Sequence, residues 1–274
     1  MSAALGTRSA QADSDPVVTR PEVRELTSVQ WERFVAAVKK MHVGDDVYSR
    51  MVLPHYNNAS AAHGRAAFLP WHRLYLSRFE KNLQLIDPRV VLPYWDWSRD
   101  AAAPERSPVL SAAYFGGTGR PQDGVVVGGA FANWQCAVPK RHSLRRSGKK
   151  TIPSFYSPEA LEHLLATATS YDGLRQLLEG SPHGNVHVGI GGNSGDMSYM
   201  YAPNDPLFWV VECFIDLLWA EWQQRNPGLA RTYGGGGAKP SDVLPPFGVP
   251  VSRTLDTTTL GYTYPRWSAD RAAH

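Results

Sequence analysis

The chain has 274 residues, which is long enough to bury a sizeable core in one large domain or two small ones. It carries 28 Lys and Arg against 25 Asp and Glu, and the resulting net charge of +3 is too small to indicate nucleic-acid binding. The two cysteines, Cys136 and Cys213, do not form a C-x-x-C pair, so the sequence indicates neither a thiolate metal site nor a disulfide framework.

Residues 1–20 are small and polar, and they lack an apolar stretch long enough for the core of a signal peptide. No run approaches the roughly 20 apolar residues that span a bilayer. We therefore expect a cytoplasmic protein with no membrane partner and no export signal of its own. We also expect a disordered arm at 1–20, followed by a single domain at 21–274.

Apolar residues recur at helical spacing along much of the chain. The stretches that we predict as helices are 28–40, 47–54, 70–86, 158–168, 171–179 and 207–224. His55 follows the second of these helices, His63 ends the next loop, and His72 lies on the apolar stripe of the third. A single inward-facing histidine is more often a satisfied core residue than a ligand, but two further histidines just upstream favour a metal site.

Between the predicted helices the sequence is rich in Gly, Pro and Ser. We predict a buried extended segment at 92–97, a short strand at 124–127, a solvated basic loop at 140–150, a loop at 189–198 and a tail at about 234–274 that wraps on the domain. His42, His142 and His163 are predicted to lie on the surface. The fold class that fits is mainly α, with a four-helix-bundle core, long irregular loops and a few short strands.

His183 and His187 lie four residues apart in the sequence SPHGNVH at 181–187. Ser181 is a good N-cap and Pro182 suits the first helical position, so this stretch predicts the start of a helix. Residues i and i+4 lie one turn apart on the same helix face, and both imidazoles can therefore reach one metal ion. The alternative is a polar helix face without a metal.

The histidines thus form two groups that are far apart in the chain: His55, His63 and His72, and then His183 with His187. Each group lies on or beside a helix with an inward apolar face. This pattern suits two metal ions held between two pairs of helices. Imidazole is a ligand for copper, zinc, iron and nickel, so the residue types alone leave the metal open.

Four motifs resemble those of bacterial tyrosinases, which are type 3 dicopper proteins related to catechol oxidases and haemocyanins. The motifs lie at 68–73 (FLPWHR), 92–97 (LPYWDW), 183–187 (HGNVH) and 204–209 (NDPLFW), the last followed by Asp216 and Trp219. The resemblance covers about residues 25–225. It implies a first copper ion, CuA, held by His55, His63 and His72. It implies a second copper ion, CuB, held by His183 and His187.

Members of the tyrosinase family use O2 to hydroxylate phenols at the ortho position or to oxidise catechols to quinones, or they only carry oxygen. The resemblance therefore implies a copper-dependent oxidoreductase that acts with O2 on a phenol, a catechol or an aminophenol. Family members often need a small partner protein for copper loading and export, and the sequence leaves the presence of such a partner open.

One position departs from the family pattern. In the family the last CuB ligand is the second residue of a His-His pair, seven residues after the Asp of Asn-Asp-Pro and four before a further Asp. Here Asp205 and Asp216 fix that register, and the pair is Val211-Glu212. In one interpretation Glu212 is a ligand, and the site favours Cu(II) over Cu(I) or admits zinc, iron or manganese. In the other interpretation, CuB is lost and Glu212 pairs with a cation or stays protonated. Burying the Glu212 side chain without a partner is costly, and this cost favours the interpretation of Glu212 as a ligand.

Two further positions bear on the activity. Glu179 resembles the family glutamate that orients a water beside CuB, and it can serve as a base for phenol deprotonation. The alternative for Glu179 is an exposed carboxylate at a helix end. Gly184 follows the first CuB histidine, where many tyrosinases carry Asn, and it offers no side-chain hydrogen bond. Three hypotheses follow: an oxidase with an altered dinuclear centre, a zinc-binding tautomerase, and a non-catalytic relative that has lost half of the site.

Overall fold

The computed structural model describes residues 17–272, and its long helices confirm the prediction of a mainly α fold. The helices of this part of the chain are α1 (Ser28–Met41), α2 (Val47–Asn57), α3 (Ala59–Ala62), α4 (Phe68–Ile86), α5 (Pro158–Thr167), α6 (Tyr171–Glu179), α7 (Ser181–Gly191), α8 (Leu207–Arg225) and α9 (Ala269–Ala272). The strands are β1 (Val18–Thr19), β2 (Gln135–Cys136), β3 (His142–Ser143), β4 (Val243–Leu244), β5 (Val249–Pro250) and β6 (Tyr262–Thr263). They pair as β1 with β6, β2 with β3, and β4 with β5.

Helices α4 and α8 form the centre of the core, because the inner face of α4 and most of α8 are buried. The apolar stripe predicted on α4 is buried along its whole length: Leu69, His72, Leu76, Phe79 and Leu83. The ring of Phe79 stacks on that of Trp209 in α8, with the centroids 3.7 Å apart. Trp209 also donates a hydrogen bond from Nε1 to the hydroxyl of Tyr48 in α2 (3.0 Å). Together with α7, these helices form the bundle that positions the histidines.

Helix α2 is longer than predicted, so His55 lies within it and not after it. Pro54 lies in the last turn of this helix, and it has no N–H to donate to the carbonyl one turn earlier. Asn58 caps the end of the helix: its backbone N–H (3.1 Å) and its side-chain Nδ2 (2.9 Å) both donate to the carbonyl of Pro54.

Helix α7 begins at Ser181 with Gly180 as its N-cap, one residue earlier than predicted, and it continues to Gly191 through part of the predicted loop. Its glycines serve close packing. A Cβ on Gly189 would lie 2.9 Å from Ile152, and one on Gly191 would lie 2.4 Å from the hydroxyl of Ser198. The chain leaves the helix at Gly192, whose φ of +60° favours glycine.

The region at 98–155 differs from the prediction in two respects. Val125 forms a single bridge with Arg145, so the predicted strand at 124–127 is wrong. Arg146, in the predicted solvated basic loop, is fully buried and makes a bidentate ion pair with Asp205, with Nε–Oδ2 at 2.8 Å and Nη2–Oδ1 at 3.0 Å. The composition of a loop does not reveal such a pair, because its members lie 59 residues apart.

The first described residues are part of the fold. Strand β1 runs parallel to β6, with Val18 opposite Tyr262. Arg20 is fully buried and donates from Nη2 to Oε2 of Glu80 in α4 (2.8 Å). The predicted disordered arm therefore does not extend to residue 20, and its residues 1–16 lie outside the described part of the chain.

One cluster of buried apolar side chains runs from Val23 to Ala272. It includes Tyr262, Tyr264 and Trp267, so the predicted tail does pack on the helices. The single-domain organisation of 21–274 stays a prediction. Among residues 17–272, no helix combines the length and the apolar character needed to cross a membrane.

Candidate metal centre

The first histidine group lies where α2, the loop after α3, and α4 come together. His55 belongs to α2, His63 follows α3 directly, and His72 lies in the second turn of α4. One ring nitrogen of each lies within 4.8 Å of those of the other two. The structure therefore brings together the three residues predicted for the CuA site.

A backbone carbonyl orients each of these three rings. Nδ1 of His55 lies 2.7 Å from the carbonyl oxygen of Met200. Nδ1 of His63 lies 3.2 Å from that of Ala59, and Nδ1 of His72 lies 2.8 Å from that of Phe68. Because a carbonyl only accepts, Nδ1 carries the proton and Nε2 keeps its lone pair. The Nε2 atoms of His55 and His72 are buried without a hydrogen-bond partner in the described residues. This arrangement is the one that metal-ligating histidines use.

The same rings are neutral at pH 7. Burial, together with the neighbouring imidazoles, lowers the pKa of His55 to about 3 and the pKa of His63 to about 4. Burial also lowers the pKa of His72 well below its ordinary value. Neutral imidazole is the form that binds metal ions, so the group needs no proton loss before it can ligate.

The second group consists of His183 and His187, one turn apart on α7, and Glu212 on α8. Oε1 of Glu212 lies 2.9 Å from Nε2 of His183 and 2.9 Å from Nε2 of His187. The other oxygen, Oε2, is buried without a partner in the described residues. Nδ1 of His187 donates to the carbonyl of Met197 (2.8 Å), which turns Nε2 toward Glu212. The residues predicted for the CuB site are therefore adjacent.

Glu212 carries a negative charge in this buried position. Burial on its own would raise the pKa of Glu212, but the positive charge on His183 and the hydrogen bonds from both α7 histidines hold it well below its ordinary value. Burial on its own would likewise lower the pKa of His183, and the carboxylate raises it. A metal cation bound by both imidazoles would take the place of the two Nε2 protons beside the carboxylate.

The two groups face each other. The ring centroid of His183 lies 6.5 Å from that of His63 and 6.5 Å from that of His72. The ring of Phe208 lies beside both groups, with its centroid 5.2 Å from His55 and 5.9 Å from His187. This separation suits two ions in one dinuclear centre, with apolar side chains around the ligands.

The centre is most open at His63, which is only partly buried. His183 and His187 are 8% and 9% exposed, whereas His72 is 2% and Glu212 is 1% exposed. A Cβ added to Gly184 would meet no atom within 4 Å. The approach for a small molecule therefore lies on the side of His63 and Gly184, which are both partly buried.

Glu179, the predicted base, ends α6 and is partly buried. Its Oε1 accepts a hydrogen bond from the backbone N–H of Gly64, and its Oε2 accepts one from Nη1 of Arg175 (3.0 Å). The side chain therefore holds the loop that follows His63, and it is not the free helix-end carboxylate of the alternative interpretation. Its role as a catalytic base stays a prediction.

A backbone segment at 197–200 contributes to both groups, and sequence reasoning did not find it. The carbonyl of Met197 orients His187, and the carbonyl of Met200 orients His55. Every residue carries a carbonyl, so no residue type marks these acceptors in the sequence.

The histidines predicted to lie on the surface have different environments. His163 is exposed. His42 is partly buried: its ring stacks on Trp134 with the centroids 4.4 Å apart, and its Nδ1 lies 2.7 Å from Oδ1 of Asp46. His42 therefore has a structural role that its polar sequence surroundings did not indicate.

Comparison with known proteins agrees with this centre. The common central domain of tyrosinase matches residues 38–225, a stretch that contains both groups of candidate ligands. The tyrosinase of Streptomyces antibioticus is 35% identical over 277 residues, covering 90% of this chain and 99% of the relative. The tyrosinase of Streptomyces glaucescens is 38% identical over 240 residues, covering 77% and 85%.

The fold agrees as well. A solved structure of polyphenol oxidase from Thermothelomyces thermophila superposes with a TM-score of 0.77 at 23% identity, covering 91% of this chain and 89% of that one. At this identity the likeness shows the fold alone. Together with the domain match and the two Streptomyces relatives, it establishes that the chain belongs to the tyrosinase family, the copper-dependent oxidoreductases with a dinuclear type 3 site.

Proposed function

We propose that the protein uses O2 to hydroxylate or oxidise a phenol, catechol or aminophenol, and that its CuB site consists of His183, His187 and Glu212. The observation that supports the altered site is the carboxylate of Glu212, 2.9 Å from the Nε2 atoms of both histidines. It occupies the sequence position of the third histidine in the family pattern. Three donors therefore remain available at CuB.

The donors fit copper ions. Copper accepts imidazole nitrogen readily, and the buried Nε2 atoms of His55 and His72 and Oε2 of Glu212 lack partners in the described residues. When bound, a pair of copper ions supplies the redox chemistry with O2 by which phenols and catechols are oxidised. Glu212 adds a hard, anionic donor to one site only, so it stabilises Cu(II) relative to Cu(I) there.

The apolar surroundings of the centre define how a substrate ring is bound. Phe68 is fully buried and its ring lies 5.1 Å from that of His183, while Phe208 is fully buried beside His187. These rings exclude water from the inner side of the ligands. We expect the substrate ring to enter on the side of His63 and Gly184, with its hydroxyl toward the centre.

Glu179 is the proposed acceptor of the phenol proton. We expect Glu179→Gln to keep both metal ions and to lower the turnover of a monophenol by about 10²–10⁴-fold, while a catechol loses less. The amide oxygen of Gln can still accept from the N–H of Gly64, so the substitution removes the base and retains this contact. Turnover of both substrates, measured with the metal content, tests this. Parental turnover of the monophenol would leave Glu179 with only its structural contacts.

Elemental analysis of the purified protein tests the proposed CuB site. We expect two copper ions per chain after loading, because each group offers three donors. One ion per chain would exclude Glu212 as a ligand and favour the non-catalytic hypothesis. Zinc that is present in the parent and lost in Glu212→Ala would favour the tautomerase. Two copper ions per chain after loading by free copper alone would make a copper-loading partner protein unnecessary.

A further inference from the structure

A third group of metal-binding side chains lies outside the dinuclear centre. Cys136 of β2 and His142 of β3 are opposite each other in the hairpin, and Asp196 lies in the turn after α7. One potential ligand atom from each of the three lies within 4.8 Å of the other two. The residues come from two distant parts of the chain, so their proximity was not visible in the sequence.

His142 has the orientation of a metal ligand. Its Nδ1 donates to the carbonyl of Lys140 (2.7 Å), and its Nε2 lies 2.8 Å from Oδ1 of Asp196. This repeats the geometry of His187, whose Nδ1 donates to a backbone carbonyl and whose Nε2 faces a carboxylate at 2.9 Å. In both places a metal cation can replace the proton between imidazole and carboxylate.

Asp196 is 1% exposed, and hydrogen bonds from neighbouring residues hold its carboxylate in place. Its Oδ2 accepts from the backbone N–H of Arg145 (2.9 Å), and its Oδ1 accepts from Nδ2 of Asn204 (2.9 Å). Ligating carboxylates in metal sites are typically oriented by such outer hydrogen bonds. The carboxylate is thus fixed in position before any ion binds.

Cys136 supplies the third donor. Its thiol is not in a disulfide and is 3% exposed. Burial and the nearby Asp196 and Asp205 raise its pKa, so the metal-free side chain is a neutral thiol. A cavity of about 150 Å³ borders His142 and Asp196, and Lys140, Arg145 and Tyr201 also line it. Cys136 lies outside this lining, so the ion would bind at the inner wall of the cavity, with room for a water as fourth ligand.

We propose that Cys136, His142 and Asp196 form a third metal site, which binds a zinc-like divalent cation. A thiolate and a carboxylate carry two negative charges, and a divalent ion neutralises them in this buried place. The sulfur donor disfavours magnesium and calcium, which prefer oxygen ligands. On binding, the thiol proton and the proton of the His142–Asp196 pair are released to water, so no redox step is involved.

The site is placed to stabilise the dinuclear centre. Asp196 directly precedes Met197, whose carbonyl orients His187, and the same segment contains Met200, whose carbonyl orients His55. An ion on Asp196 would therefore add a further bond to the segment that positions one histidine of each group.

Titration of the copper-loaded protein with Co²⁺ tests the proposal, because a cobalt–thiolate bond gives a charge-transfer absorption that imidazole and carboxylate ligands do not. We expect the absorption to reach its maximum at one equivalent of Co²⁺ per chain. Added Zn²⁺ should abolish it by displacing the cobalt. Cys136→Ser and His142→Gln should each weaken Co²⁺ binding by more than about 10-fold. Loss of a ligand should cost more affinity than loss of a residue that only hydrogen-bonds to a ligand, which costs at least about 10-fold. Cys213→Ser is the matched control and should keep the absorption.

A copper-loaded protein without the absorption, or one in which Cys136→Ser retains it, would overturn the third site. Should Cys136→Ser fail to fold, alkylation of wild-type Cys136 replaces it as a test: Zn²⁺ should slow the alkylation, and an unchanged rate would count against the proposal. The result does not depend on CuB, because cobalt bound to His183, His187 and Glu212 has no sulfur ligand.

Discussion

Replacing Glu212 with histidine should restore ordinary type 3 behaviour, and replacing it with alanine should abolish oxidase activity. Histidine returns the neutral third donor of the family pattern to the position 2.9 Å from His183 and His187. Alanine removes a ligand and leaves the two buried imidazoles without their counter-charge. We expect Glu212→Ala to lose the second copper ion and more than about 100-fold of catechol turnover, since even outer-shell changes cost 10–100-fold.

The readouts are copper ions per chain and O2 consumption with a catechol. Glu212→Gln is the matched control, because it keeps the shape of the side chain and removes the charge. We expect its copper content to lie between those of the parent and the alanine variant. Equal copper content and equal activity in the histidine and alanine variants would contradict a ligand role for Glu212.

The histidines of both groups were predictable as candidate ligands, and three of them carry a local signal. His72 lies on the apolar stripe of α4, and His183 and His187 have the spacing of one helical turn. The register between Asp205 and Asp216 identified Glu212 without any structural information. These signals depend on helix periodicity and motif spacing, and the structure has helices at these positions.

The supporting contacts were not predictable, because they join residues that are distant in the chain. Arg146 was placed in a solvated loop, yet it pairs with Asp205. Glycines at the end of α7 indicated a loop, but Gly191 permits close packing against Ser198. In each case a contact with another part of the chain determines the structure, and the local sequence does not indicate which residue makes that contact.

Asp216 is the position outside the ligands where we expect the largest loss of stability. It lies one turn after Glu212, and its Oδ1 accepts a hydrogen bond from Nε of Arg73 (2.5 Å). Arg73 directly follows His72 in the chain. Its Oδ2 accepts from the hydroxyls of Tyr262 (2.6 Å) and Tyr264 (2.9 Å). The carboxylate thus joins α4, α8 and the C-terminal strand next to the metal centre.

Asp216→Ala should lower the free energy of unfolding by about 3–5 kcal/mol, because it leaves the fully buried guanidinium of Arg73 without its carboxylate. The midpoint of urea unfolding of the metal-free protein measures this change. Arg231→Ala is the control: Arg231 pairs with Asp256 on the surface and its side chain is 76% exposed, so the expected cost is at most about 1 kcal/mol. Similar midpoints for the two variants would show that the buried charge of Arg73 finds another partner. In that case the alignment of His72 with Glu212 would rest on the apolar contacts of α4 and α8 alone.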